Sequence, residues 1–274
     1  MPLSGIEIFK LLPKTNCGKC GVPTCLAFAM SLAAGKAELV ACPFVTAESK
    51  TKLEEASAPP IRPVFIGSGE RALKVGGETV LFRHEKRFEN PPGMAILISD
   101  GMDDAEVGAR LKRFKELSYV RVGLKLRPEM AALRCDSQDS ARFNSLVSRV
   151  KSESDGGIIL MTSNPDIMAS ALKVCAERKP LLYATTIDNA EQMAALAKES
   201  SCPLVARASS LDDLSALTEK LAQLGVKDIV IDSGARKIKQ ALQDQVMIRR
   251  LALNKKFRPL GFPTIVMANE MTND

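Results

Sequence analysis

Histidine, aromatic rings and long apolar runs are what this sequence lacks. A single histidine stands in 274 residues. With no H-x-x-H pair and no Cys–His arrangement in the body of the chain, a hydrolytic nucleophile working with an imidazole has little support. Aromatic residues make up 4% and the formal net charge is only +6, so base stacking in a nucleic-acid groove is disfavoured. No uninterrupted apolar stretch approaches the roughly 20 residues of a membrane span. The opening "MPLSGIEIFKLLPK" carries the acidic Glu7 and lacks the basic-then-apolar order of a signal peptide. The expectation is a cytoplasmic protein with no nucleic-acid and no membrane partner, in a compartment where structural disulfides are rare.

Cysteine, in contrast, is present and unevenly placed. Cys135, Cys175 and Cys202 are scattered in apolar settings ("AALRCD", "ALKVCAE", "SSCPLVA") and read as small buried hydrophobes. Cys17, Cys20, Cys25 and Cys42 instead form one constellation, C-x2-C-x4-C-x16-C, with Pro43 directly after the last. Gly18 and Gly21 follow the first two cysteines and let the backbone bend tightly, with its amides near sulfur. "LAFAMSLAAG" predicts a helix stopped by Gly35, which carries the chain away before a loop brings Cys42 back. "SGIE", Ser4 to Glu7, is a capping-box signature opening a short helix with Ile6, Phe9 and Leu12 available for packing. Structural zinc usually takes two C-x-x-C pairs, and a thioredoxin-type pair follows a strand that is absent here. Four soft ligands at this spacing favour an iron–sulfur cluster over zinc and over redox thiols.

The remaining chain divides by composition. Residues 1–57 hold the cysteine module. Residues 58–92 are a proline-rich linker ("APPIRP", "IGSGE", "ENPPG") in which "ALKVGGETVLF" predicts a hairpin turning on Gly76–Gly77. The lone "GSG" is too short for a phosphate-binding fingerprint. His84, among charges in "LFRHEKRF", reads as a surface or interface residue. Residues 93–274 alternate short apolar runs with amphipathic helical stretches, the signature of a parallel α/β sheet. Seven strands are expected, at "MAILISD", "MAALRC", "GIILMT", "PLLYATT", "PLVARA", "DIVIDS" and "TIVMAN". "MAALRC" is favoured over the neighbouring "YVRVGL", because the few residues between them leave no room for a parallel crossover. No Gly-rich dinucleotide fingerprint follows the first strand, and a TIM barrel needs eight strands, so seven is one short. Polar residues gather at the strand ends (Asp100, Thr162 to Asn164, Thr185–Thr186, Ser209–Ser210, Asp232–Ser233), where helix N-capping is the ordinary explanation. The basic run "IRRLALNKKFR" reads as a solvated helix face.

The succession of motifs resembles the large (gamma) subunit of the corrinoid iron–sulfur protein of the acetyl-CoA synthase/decarbonylase system. It is carried by "NCGKCGVPTCLAFAMSLAAGKAEL" with the "CPF" return, then by "APPI", "LFRHEKRF", "RKPLLYA", "ALAKESSCPL", "DSGAR", "IRRLA" and "FRPLGFP", in order along nearly the whole chain. The resemblance implies a small N-terminal [4Fe-4S] helical module followed by a TIM (β/α)8-type barrel. It makes Cys17, Cys20, Cys25 and Cys42 the cluster ligands. It implies a heterodimer with a small subunit and transient contacts with a methyltransferase and with acetyl-CoA synthase/CO dehydrogenase. It further implies a cobamide that takes a methyl group from a methylated pterin, and a cluster that returns Co(II) to Co(I). The family's eighth strand and C-terminal corrinoid domain have no counterpart here, so the barrel is expected to miss its last strand and the chain alone to bind no corrinoid. The segment Asp232, Gly234, Ala235, Arg236 matches the family without an assigned role. Such a chain is a carrier subunit rather than a self-sufficient catalyst. A stand-alone Fe–S electron-transfer protein and a zinc-bound scaffold remain the alternatives.

Overall fold

The computed structural model describes residues 4–33, 36–46, 48–50, 53, 59–82, 84–87 and 90–273. The chain divides into two compact units, Met1–Pro59 and Pro60–Asp274.

In the first unit, Ser4 caps helix α1 (Gly5–Leu11) reciprocally. Its hydroxyl accepts the Glu7 amide at 3.3 Å, and the Glu7 carboxylate accepts the Ser4 amide at 2.7 Å. Helix α2 (Cys25–Ala33) opens under Thr24, whose hydroxyl accepts the Ala27 amide. The two helices bury Ile8, Leu12, Cys25, Phe28 and Ala29 together with Leu53. Ile6, expected in this core, is 59% exposed; Ile8 faces inward, one turn before Leu12. The expected stop at Gly35 lies outside the described residues.

The second unit begins with an antiparallel hairpin, β1 (Val64–Ile66) with β2 (Leu73–Val75). Its connection is residues 67–72, not Gly76–Gly77 as the sequence suggested. Gly76 serves a different need, since a Cβ there would sit 2.3 Å from the Arg62 carbonyl oxygen. Strands β3 (Ala95–Ser99), β6 (Met130–Arg134), β7 (Gly157–Met161), β8 (Leu181–Thr185), β9 (Leu204–Arg207) and β10 (Ile229–Asp232) form one parallel sheet. Each strand lies beside its predecessor in sequence. Right-handed crossovers in such an unreversed order leave the intervening helices on one face. Those helices are α3 (Asp104–Glu116), α4 (Ser140–Glu153), α5 (Pro165–Cys175), α6 (Ala190–Ser200) and α7 (Leu211–Gln223), with α8 (Ile238–Leu253) after β10. "MAALRC" supplies β6, as expected. "YVRVGL" goes into a separate exposed ribbon, β4 (Tyr119–Arg121) with β5 (Leu124–Leu126).

Alternation along the strands builds two apolar layers. Ile98, Leu133, Leu160 and Ile231 pack with helix residues such as Leu111, Phe143, Met168 and Leu217. Met130, Ile159, Leu181, Val205 and Val230 point to the opposite face, where Val64 and Ile66 of the hairpin cover them. The hairpin in the proline-rich passage is therefore part of the second unit's core. The expected seventh strand, "TIVMAN", is reduced to one parallel bridge, Ile231 with Thr264. No strand lies on its far side among the described residues, and the 3-10 turn Ala268–Glu270 draws the chain away. A largely apolar cleft of about 900 Å³ lies between Ala95–Leu97 of β3 and residues 262–269. No described helix is long and apolar enough to cross a membrane.

Candidate cluster site and the strand-end network

The cysteine loop joins α1 to α2. Asn16, Gly18 and Gly21 all have positive φ (44°, 70° and 84°), and the Gly21 amide closes a turn on the Gly18 carbonyl. A Cβ at Gly18 or Gly21 would meet no heavy atom within 4 Å, so these glycines serve the backbone path rather than a tight fit. Asn16 holds the end of the loop by accepting the Cys25 amide at 2.8 Å. Cys25 is buried in the module core, and Cys20 and Cys42 border the same cluster of apolar side chains. Cys17 is exposed. A hydrogen bond from the Lys19 amide, then one with the Thr15 hydroxyl, pull its thiol below the ordinary value.

Among the described residues, no three His, Cys, Asp or Glu side chains converge closely enough to grip a metal ion. The donor set still fits an iron–sulfur cluster by its chemistry: four free thiols and no competing disulfide. Three of the four edge one apolar core, and the fourth sits on an open glycine-flanked loop. The other cysteines are buried, and burial pushes the Cys175 thiol up to about 12. They are inert packing groups, as their settings suggested.

A second polar assembly sits at the C-terminal ends of the strands. Asp232, 2% exposed, accepts the Tyr183 hydroxyl at 2.7 Å, the Gly234 amide at 2.8 Å and an Arg236 guanidinium nitrogen at 3.0 Å. Arg236 also donates to Glu270 at 2.7 Å, and Glu270 accepts Arg134 from β6 at 3.4 Å. Burial and the Asp232 carboxylate together raise the Tyr183 hydroxyl. Burial opposes the charge on Arg236, but Asp232 and Glu270 outweigh it and keep the guanidinium protonated. Arg134 is also held by Asp136 at 2.8 Å, and the linked ion pairs clamp these segments together. The sequence displayed Asp232 and Arg236; it gave no signal for Tyr183, Arg134 or Glu270, which are distant in the chain.

The other strand-end residues divide. Asn164 and Ser210 are N-caps, of α5 and α7. Asp100 instead accepts the Ser137 hydroxyl and the amides of Asp136 and Ser137, locking the loop after β6. Thr185 is fully buried and its hydroxyl has no partner. His84 is exposed, with its ring stacked on Phe82 at 5.5 Å. In the basic run, Arg249 donates to the carbonyls of Val80 and Leu81, so that residue anchors a neighbouring segment rather than facing solvent alone.

Residues 63–272 match the family model described as "CO dehydrogenase/acetyl-CoA synthase delta subunit", and residues 12–44 match one described as "Putative Fe-S cluster". The large subunit of the corrinoid/iron-sulfur protein of Moorella thermoacetica is 45% identical over 267 residues, covering 97% of this chain and 60% of its own. The acetyl-CoA decarbonylase/synthase complex subunit gamma 2 of Methanosarcina mazei is 38% identical over 247 residues, covering 88% and 53%. The gamma subunit of that name from Methanopyrus kandleri is 35% identical over 269 residues, covering 96% and 58%. The chain thus spans little more than half the length of these relatives.

Proposed function

Since the chain belongs to the CO dehydrogenase/acetyl-CoA synthase delta-subunit family, we propose that it is the cluster-bearing and partner-docking part of a corrinoid iron–sulfur methyl carrier. Cys17, Cys20, Cys25 and Cys42 hold one [4Fe-4S] cluster in this reading. Bound there, the cluster supplies low-potential electrons, the chemistry needed to return Co(II) to Co(I). The chain's own residues position it. Asn16 ties the loop to the start of α2, Gly18 and Gly21 shape the path, and Phe28 with Ile8 gives the thiols an apolar floor. The observation that carries the reading is this four-cysteine set, three members of it on one core, inside a segment matching an Fe–S family model.

The carrier role places the chain in the cytoplasm beside a small subunit, with the methyltransferase and acetyl-CoA synthase/CO dehydrogenase as transient partners. The second unit is proposed to be a (β/α)8-type barrel, with the cleft between β3 and Thr264 as the place of its closing strand. The 274-residue chain alone is not expected to hold a corrinoid, and micromolar binding in a cobalamin titration would reverse that assignment. The cluster module, residues 1–57, is proposed to be separable from the body at the start of the passage 58–92, ahead of the hairpin that packs into the body's core. Limited proteolysis should then cut near the prolines 59, 60 and 63 before it cuts within 157–233.

Anaerobic preparation tests the central statement. Iron and acid-labile sulfide should be present in nearly equal amounts, with broad thiolate-to-iron absorption. Stoichiometric zinc without sulfide would favour the scaffold alternative and end the electron-transfer reading.

A further inference from the structure

The ribbon of β4 and β5 is an apolar surface that none of the described residues covers. Its turn, Val122–Gly123, has φ of 50° and 75°, the paired left-handed conformation of a two-residue hairpin. The register places Tyr119 opposite Leu126 and Arg121 opposite Leu124 on one face, with Val120 opposite Lys125 on the other. All six strand residues are exposed. Leu117, Tyr119, Leu124 and Leu126 are 42, 55, 62 and 38% exposed. A two-stranded ribbon is marginally stable in water by itself, and an apolar face of this kind marks an interaction site.

Charge narrows the occupant. Residues 117–128 contain Arg121, Lys125 and Arg127 and no carboxylate, and none of the three cations makes an ion pair among the described residues. A second copy would set like charges face to face, which is unfavourable. A bilayer would have to receive the ribbon's unpaired edge amides and carbonyls, and hydrocarbon has no partners for them. A protein strand can pair with that edge while its side chains cover the apolar face.

We propose that the β4–β5 ribbon is a docking site for a protein subunit of the methyl-carrier complex, one presenting an apolar patch rimmed with Asp and Glu. This rests on the carrier reading above, and the probe is the small subunit named there. Sedimentation of the full chain with the small subunit gives the affinity of the unaltered protein. The paired reversal Arg121→Glu with Lys125→Glu, and separately Leu124→Ser, should each weaken it by about 30-fold or more. Lys239→Glu, an exposed change on α8, should leave it within about twofold, and thermal melts should show that all variants are folded. Binding by the ribbon variants within about twofold of the unaltered chain would overturn the docking site and leave the carrier reading standing. Failure of the unaltered chain to bind the small subunit would overturn both. A parallel titration with phosphatidylglycerol vesicles covers the remaining occupant. Vesicle binding lost in the ribbon variants, with subunit affinity unchanged, would assign the surface to a membrane instead.

Discussion

The two units of this protein keep their cysteines for opposite purposes. In Met1–Pro59 the thiols are part of the core boundary: Cys25 is buried with Phe28 and Ala29, and Cys20 and Cys42 lie against them. In Pro60–Asp274, Cys135, Cys175 and Cys202 are minor members of a large two-faced core, where Phe143, Leu160 and Leu182 could be lost only at great cost. A small module with so few buried side chains has little apolar area to offset the entropy of ordering its loop. A body with a helix layer on one face of its sheet and a hairpin on the other has ample area. The module should therefore depend on its bound group, and the body should not.

The strongest way to break that contrast is Cys20→Ser. It should abolish or convert the cluster and strip hydrogen-exchange protection from residues 5–33, while the melt of the body moves little. Cys175→Ser should leave the cluster absorption intact. Equal loss at both positions would mean the ligand assignment is wrong. Next in size, Phe143→Ala should destabilise the body by about 3–5 kcal/mol in urea without changing the iron content.

Asp100→Asn sharpens the picture of the body. Burial opposes the Asp100 charge, but the Ser137 hydroxyl and the Ser137 and Asp136 amides outweigh it and hold its carboxyl below the usual value. A lowered folded pKa gives stabilisation that is complete above the unfolded value of about 3.9 and is lost as pH falls through the lower folded value. The variant should be about 1.5–3 kcal/mol less stable at pH 7, and the gap should narrow as pH falls below the unfolded value; a gap that does not change with pH would remove the carboxylate from the explanation. Smallest is Ser4→Ala, expected to cost about 1 kcal/mol, felt only in the module and read from the helix signal of residues 5–11 in exchange experiments.

What could be read directly from the sequence was local. The reciprocal cap of Ser4 and Glu7 spans three residues, and the caps at Asn164 and Ser210 act over two or three, so composition and spacing were enough. Strand β7 is buried on both faces and appears in the sequence as an unbroken apolar run. What escaped depended on partners remote in the chain. Ile265 and Val266 have strand-forming side chains, but a strand needs a continuous ladder with at least one neighbour, and "TIVMAN" has only the bridge to Ile231. Gly76–Gly77 resembled a hairpin turn because the proximity of the Arg62 backbone cannot be seen in a string. Tyr183 meets Asp232 across 49 residues, and Glu270 meets Arg134 across 136. For the candidate cluster site the cysteine spacing and the glycine-bent loop were visible in the sequence, whereas the Asn16 tether to Cys25 was not.

The strictly sequential order of the sheet has a kinetic consequence. Each strand pairs with the strand of the unit just before or just after it, so every addition closes one crossover, such as the 35 residues from Ala95 to Met130, and none has to span the whole unit. Ordering can begin at any adjacent pair and spread outward, each step limited by closing its own crossover, which is slow for parallel pairing. Fraying runs the same way in reverse. The amides of β7 and β8 should exchange only through global opening, whereas those of β3 should open first, followed by those of β10, whose outer side is held only at the Ile231–Thr264 bridge.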